Sequence, residues 1–178
     1  MTDRQSPDLQ TLVEHLTSIG APPEREQLEQ VALCIAKHFK VEEDEVAVLA
    51  LDTKSKSLKF VLPEKLSQIG TIPISSTVAL AARTVREKRA ELVNNFTASR
   101  HASVFEGVPL GRRQGDLIHK IMSAPILDEN KKVAGVVQIS RKGQSARDAG
   151  PDFTQKDLSK LSSLSPDLAR FLRIVSGS

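Results

Sequence analysis

Apolar positions recur at three- and four-residue intervals near both ends of the chain and gather into short runs in its middle. That pattern predicts helices at the ends and strands between them. Leu9, Leu12, Val13, Leu16 and Ile19 form one stripe, which predicts a helix over 7–19. Gly20, followed by Pro22 and Pro23, ends it: glycine accepts the left-handed cap, and proline cannot continue a helix. Leu28, Val31, Ala32, Ile35 and Phe39 repeat the stripe over 24–40, with Cys34 off the line. The acidic stretch Glu42–Glu45 is a polar break. Residues 46–51 and 58–62 are aliphatic and β-branched runs of strand length, joined by a polar turn, and they predict an antiparallel hairpin. Pro63 limits how far its ladder can run.

Residues 70–74 form a short extended segment. Ser75 or Ser76 then supplies a cap for a helix carrying Val78, Ala81, Ala82 and Val85 on one face. A short strand follows at 91–94. From 95 to 116 the chain mixes Gly, Pro, His, Asn and paired Arg without a period, which predicts a long loop with a little helix. The clearest strands are 121–127 and 133–140, a second hairpin around the polar turn 128–132, and 143–151 is a loop. Thr154 caps a final helix, with Asp157 suited to its positive end. Leu158, Leu161 and Leu164 form its apolar face. Ser165-Pro166 interrupts it, and Leu168, Phe171, Leu172 and Val175 continue the face. Two hairpins imply an antiparallel sheet with helices packed on it. Helices at both ends can share a bundle, and a twofold partner is a common cover for an apolar stripe left there.

A length of 178 residues fits one domain, read as an N-terminal helical extension (1–23), the domain proper (24–175) and a disordered tail (176–178). No apolar stretch approaches the roughly 20 residues a spanning helix needs. The polar start lacks the apolar core of a secretion signal. Lys and Arg number 25 against 22 Asp and Glu, giving a net charge of +3. The acids are interleaved with the bases, which argues against a nucleic-acid partner despite a pI near 9.1. The single cysteine, Cys34, allows no internal disulfide and no thiolate metal site, and fits a reduced, cytoplasmic setting. Tyr and Trp are absent, so little aromatic surface exists for stacking on a flavin or on bases.

Five segments in order resemble the GAF domain family. The hairpin at 46–52 and 58–63 is the first. Gly70-Thr71-Ile72-Pro73-Ile74-Ser75-Ser76 is similar to the family's approach to its central helix. Arg89–Asn95 passes from helix to strand and a polar corner. Ile121-Met122-Ser123-Ala124-Pro125-Ile126-Leu127 with Val133-Ala134-Gly135-Val136-Val137-Gln138-Ile139 follows its closing hairpin. Asp152-Phe153-Thr154 with Asp157-Leu158 matches the start of its last helix. The resemblance implies an α+β fold, a GAF-like α/β/α sandwich. Its central antiparallel sheet has five or six strands, with terminal helices packed on one face and a helix-loop cover on the other.

The family includes binders of cyclic nucleotides, tetrapyrroles, haem and amino acids, and members that only dimerise. Its free methionine sulfoxide reductases use one thiol to attack and a second to resolve, and this chain has one. Its covalent tetrapyrrole binders hold the chromophore through a cysteine, commonly beside a histidine, and Cys34 has no such neighbour in sequence. In place of the cyclic-nucleotide motif stands Asn94-Asn95-Phe96-Thr97, without its Lys and Asp. His15, His38, His101 and His119 show no metal-ligand spacing. No nucleophile elbow, phosphate loop or zinc-protease motif is present, so no catalytic residue is assigned and no enzyme activity is expected. The sequence names no cofactor.

In this fold a ligand would lie between the sheet and its cover. On this chain the ligand-binding set is Asn94, Asn95, Phe96, Arg100, His101, Phe105, Glu106 and Ile118, a mixture of apolar wall and orienting polar groups. The alternative is that the phenylalanines plug the core and the polar groups face water. Arg83 and Arg86 share a helix face and could fork onto an anion or be solvated and partly paired. The chain is thus expected to be a small-molecule-sensing or signal-relaying domain. It would dimerise through its terminal helices and act on a separate output protein, with no membrane partner. The second reading is a ligand-free dimerisation or docking module.

Overall fold

The two longest extended runs pair with each other. β5 (Leu117–Leu127) and β6 (Val133–Gly143) form an antiparallel hairpin within a six-stranded sheet. The computed structural model describes residues 8–96 and 116–177. β1 (Val46–Asp52) pairs with β6 and with β2 (Ser57–Leu62), and the borders are β3 (Thr71–Pro73) and β4 (Glu91–Val93). The order across the sheet is β3-β2-β1-β6-β5-β4. Both hairpins are turned by an aspartate that gathers the turn's amides. Asp52 Oδ1 accepts from the Lys54 and Ser55 N–H groups, and Asp128 Oδ1 accepts from those of Asn130 and Lys132.

The helices are α1 (Leu9–Ile19), α2 (Arg25–Phe39), α3 (Leu80–Glu87), the short α4 (Ala146–Ala149), α5 (Gln155–Ser163) and α6 (Ser165–Ser176). Asp8 caps α1 by accepting from the Thr11 N–H at 2.8 Å, and Gly20 closes it with φ 71°. Thr154 and Asp157 form a reciprocal capping box on α5. Ser165, where α5 gives way to α6, receives the Leu127 N–H at 2.8 Å, so the break sits where the chain meets the end of β5.

Strand periodicity divides the interior in two. Val46, Val48, Met122, Ala124, Ile126, Val137 and Ile139 point towards the terminal helices and join Leu9, Val13, Val31, Ile35, Leu161, Leu168 and Phe171 in one continuous core. Leu49, Leu58, Phe60 and Val136 point the other way, onto Ala81, Ala82 and Val85 of α3. At Gly135 the layers touch: a Cβ there would lie 2.1 Å from the Leu49 carbonyl oxygen and 2.8 Å from Leu172 Cδ1. Only glycine lets β1 and α6 approach this closely.

Two elements differ from the periodicity. α3 begins at Leu80, not directly after Ser76, because the Ser76 hydroxyl accepts from the Val78 and Ala79 N–H groups and shapes a preceding turn. Val78 is consequently 50% exposed and lies off the apolar face. β5 and β6 run further than the apolar runs suggest, since His119, Lys120 and Lys142 are buried polar residues within them. Among the described residues no helix is long and apolar enough to cross a membrane.

Candidate functional site

The α3 side of the sheet is not evenly apolar. Register sets Ala47, Gln138, Ser123 and Glu91 side by side across β1, β6, β5 and β4. Thr84 of α3 lies over this row, its hydroxyl 2.7 Å from that of Ser123. Thr84 Oγ1 also donates to the Leu80 carbonyl at 3.0 Å, and Gln138 Nε2 donates to Ser123 Oγ at 3.3 Å. A hydroxyl has one proton to give, so the direction follows. Gln138 donates to Ser123, Ser123 to Thr84 and Thr84 to the main chain. The three side chains are 4%, 0% and 3% exposed, a relay fully out of water.

At the end of the row, Arg83 Nη2 holds both oxygens of Glu91 at 2.5 and 2.8 Å. Arg86 donates to the carbonyls of Ile74 and Ser76 at 2.6 and 2.7 Å and fastens the turn that precedes α3. Arg89 pairs with Glu87. These arginines bind the protein itself, which accounts for the cluster without an external anion.

Beside the relay, Leu80, Phe96, Ile118 and Ile121 form a small separate apolar cluster against Val93. Past it, towards the start of β5 and the end of β6, buried ionisable groups accumulate: Glu45, Asp116, His119 and Lys142. Glu45 accepts the Glu42 N–H through one oxygen and the Lys142 N–H through the other. Lys142 Nζ donates to the Asp44 carbonyl. His119 Nε2 lies 2.9 Å from the Gly143 carbonyl, which can only accept, so that nitrogen carries the proton. Asp116 Oδ1 has no hydrogen-bond partner.

Of the residues the sequence nominated, Phe96 and Ile118 meet in the apolar cluster. Asn95 is exposed. Asn94 turns away from α3: its amide donates to the Phe153 carbonyl and accepts the Phe153 N–H, at 3.0 and 2.9 Å. The pair works like a ladder step between β4 and the lead-in to α5. Arg141 lies over the Phe153 ring at 4.7 Å. Arg100, His101, Phe105 and Glu106 lie outside the described residues. Thr84, Ser123, Gln138 and Asp116 were not nominated. Ser123 and Gln138 carried a signal, each being a lone polar residue inside an apolar strand run.

Two other features lie away from this face. Cys34 sits half-buried on α2, against the terminal-helix core, where burial and then the Asp8 charge raise its thiol pKa and Lys37 opposes them. A cleft of about 440 Å³ opens between the start of α2, residues 42–44 and residues 62–65. Its acids are partly tied by Arg25, which meets Glu29 at 3.1 Å and Glu64 at 3.5 Å. Among the described residues no three His, Cys, Asp or Glu gather as a metal site.

No family model matches the sequence, and no curated protein matches it. Solved structures align over nearly its whole length. The GAF domain of an Acinetobacter phosphoenolpyruvate-protein phosphotransferase is 16% identical, covers 97% of this chain and 94% of its own, and gives a TM-score of 0.65. A segment of a methyl-accepting chemotaxis protein, its residues 122 to 287, is 13% identical over 92% of this chain and 96% of its own, with a TM-score of 0.64. Free methionine-R-sulfoxide reductase from Neisseria meningitidis, solved in complex with its substrate, is 15% identical over 94% and 90%, with a TM-score of 0.57. The chain therefore has the GAF fold, as its motifs implied. The expectation of a chain without catalysis is corrected here. Free methionine-R-sulfoxide reductases share the fold, so the fold is one that enzymes use and gives no support to the exclusion.

Proposed function

We propose that this chain is a cytoplasmic regulatory domain that binds a small molecule on the α3 side of its sheet and passes the bound state to its terminal helices. The observation that carries the reading is the buried Gln138–Ser123–Thr84 relay on that face, with Ser140 and Lys142 also buried further along β6. Apolar side chains would fill such a layer with no donors to satisfy, as they do on the opposite face. Polar groups beside an apolar wall of Phe96 and Ile118 are what a small-molecule site requires. The substrate complex of the reductase with this fold supports a ligand, and the chemotaxis-protein neighbour supports signalling. The Asn94–Phe153 pair supplies a mechanical link from β4 to α5. Ile19 and Leu33, exposed on α1 and α2, support a twofold partner there, with a separate protein receiving the output.

Thermal denaturation against a panel of nucleotides, amino acids, haem and small anions tests the reading. At least one compound is expected to raise Tm by several degrees, and Gln138→Leu to abolish that shift. A panel without any shift, together with a concentration-dependent dimer in light scattering, overturns it in favour of a ligand-free dimerisation module.

A further inference from the structure

Buried carboxylates in folded proteins have partners. Glu45 obeys this rule, with a main-chain N–H on each oxygen. Asp116 does not. It is 6% exposed, and its Oδ1 meets no donor. Asp116 immediately precedes β5, two residues before Ile118, so strand alternation places both on the α3 side while Leu117 between them is exposed. Among the described residues, Lys142 Nζ donates to the Asp44 carbonyl, Lys120 Nζ to the Gly150 carbonyl and His119 to the Gly143 carbonyl, and none of these groups reaches Asp116 Oδ1.

An ionised carboxylate only accepts, and holding it out of water is costly unless donors or a positive charge replace the lost solvent. Whatever fits against it brings N–H groups and charge together. A bare metal ion is a poor match, because no three ligating side chains gather among the described residues. The neighbouring Ile118 and Phe96 suit an apolar body instead. We propose that Asp116 anchors a protonated primary amine on the small molecule bound at the α3 side. This rests on the ligand-binding reading above and names the chemistry that the site selects.

The test uses the full chain and titrates free amino acids, diamines and polyamines, each beside its N-acetylated form, by thermal shift and calorimetry. At least one amine is expected to bind, and acetylation to weaken it tenfold or more. Asp116→Asn is expected to cause a similar loss for the amine and none for the acetylated form. In the unliganded protein the same change removes a buried charge with an unpartnered oxygen, and Tm is expected to rise by about 2–4 °C. Asp116→Ser repeats the series if the asparagine variant does not fold. Equal amine affinity in wild type and D116N overturns the proposal, and so does a fall of several degrees in the unliganded Tm, which would mark Asp116 as a structural partner. A compound without an amine that binds wild type and D116N alike, but not Gln138→Leu, overturns the proposal and leaves the binding reading standing. Silence from every amine overturns the proposal, and silence from the wider panel of nucleotides, haem and small anions as well overturns the binding reading with it.

Discussion

Consecutive residues of β5 meet two different interiors. Met122 and Ala124 enter the continuous apolar core beneath the terminal helices, while Ser123 between them enters the hydrogen-bonded relay beneath α3. On β6, Val137 and Ile139 face the first interior and Gln138 and Ser140 the second. The first interior is one cluster that draws on α1, α2, α5 and α6 and four strands. The second is split into two smaller clusters with polar groups between them. A shared sheet thus separates two kinds of interior. One face is closed by continuous apolar burial, and the other carries buried hydrogen-bonded groups between smaller apolar clusters.

The sharpest challenge to this division is Phe171→Ala, on the terminal-helix side. Removing a fully buried phenylalanine there is expected to cost about 4 kcal/mol, and thermal unfolding should show a Tm lower by roughly 8–16 °C. The contrast between the faces collapses if this variant loses no more than the relay variants do. Next comes Asn94→Ala, which strands the Phe153 N–H and C=O. A loss of about 2 kcal/mol is expected, with faster hydrogen exchange at the Phe153 amide as the local signature. Ser123→Ala and Thr84→Ala are each expected to cost about 1 kcal/mol in urea unfolding, and their double-mutant cycle to show a coupling of about 0.5–1 kcal/mol. Additive losses would mean that the relay is not a unit.

The smallest expected effect concerns Asp8. Its carboxyl is held below the usual aspartate range, first by the Thr11 N–H. The folded value lies under the unfolded one, so the stabilisation is present at neutral pH and disappears as pH falls through the folded value. Asp8→Asn should therefore lie slightly below wild type in Tm at pH 7 and converge with it in acid.

Much of this architecture could be read from the residues because its signals are local. Stripes such as Leu9-Leu12-Val13-Leu16 report a helix face, Gly20 its end, and the runs around Pro125 and Val136 a buried hairpin. The start of α3 was harder, since Ser76 shapes a turn as readily as a helix cap, and its hydroxyl does the former. Strand length was hidden at His119, Lys120 and Lys142, where buried polar side chains look like loop composition. In the candidate site, Phe96 and Ile118 were legible as apolar residues beside a polar corner. The role of Asn94 was not: its partner, Phe153, lies 59 residues further along the chain, and only the folded register brings them together. The relay was half legible, through Ser123 and Gln138, but nothing in the helix distinguishes Thr84 from any solvated threonine until α3 is laid over the sheet.

The borders of the sheet carry a last consequence. β3 and β4 have three residues each, so each of these two border strands by itself offers a stray extended peptide only a brief run of amides and carbonyls. Lateral growth by strand addition is correspondingly disfavoured. The two outermost ribbons are therefore poor seeds for fibrillar stacking.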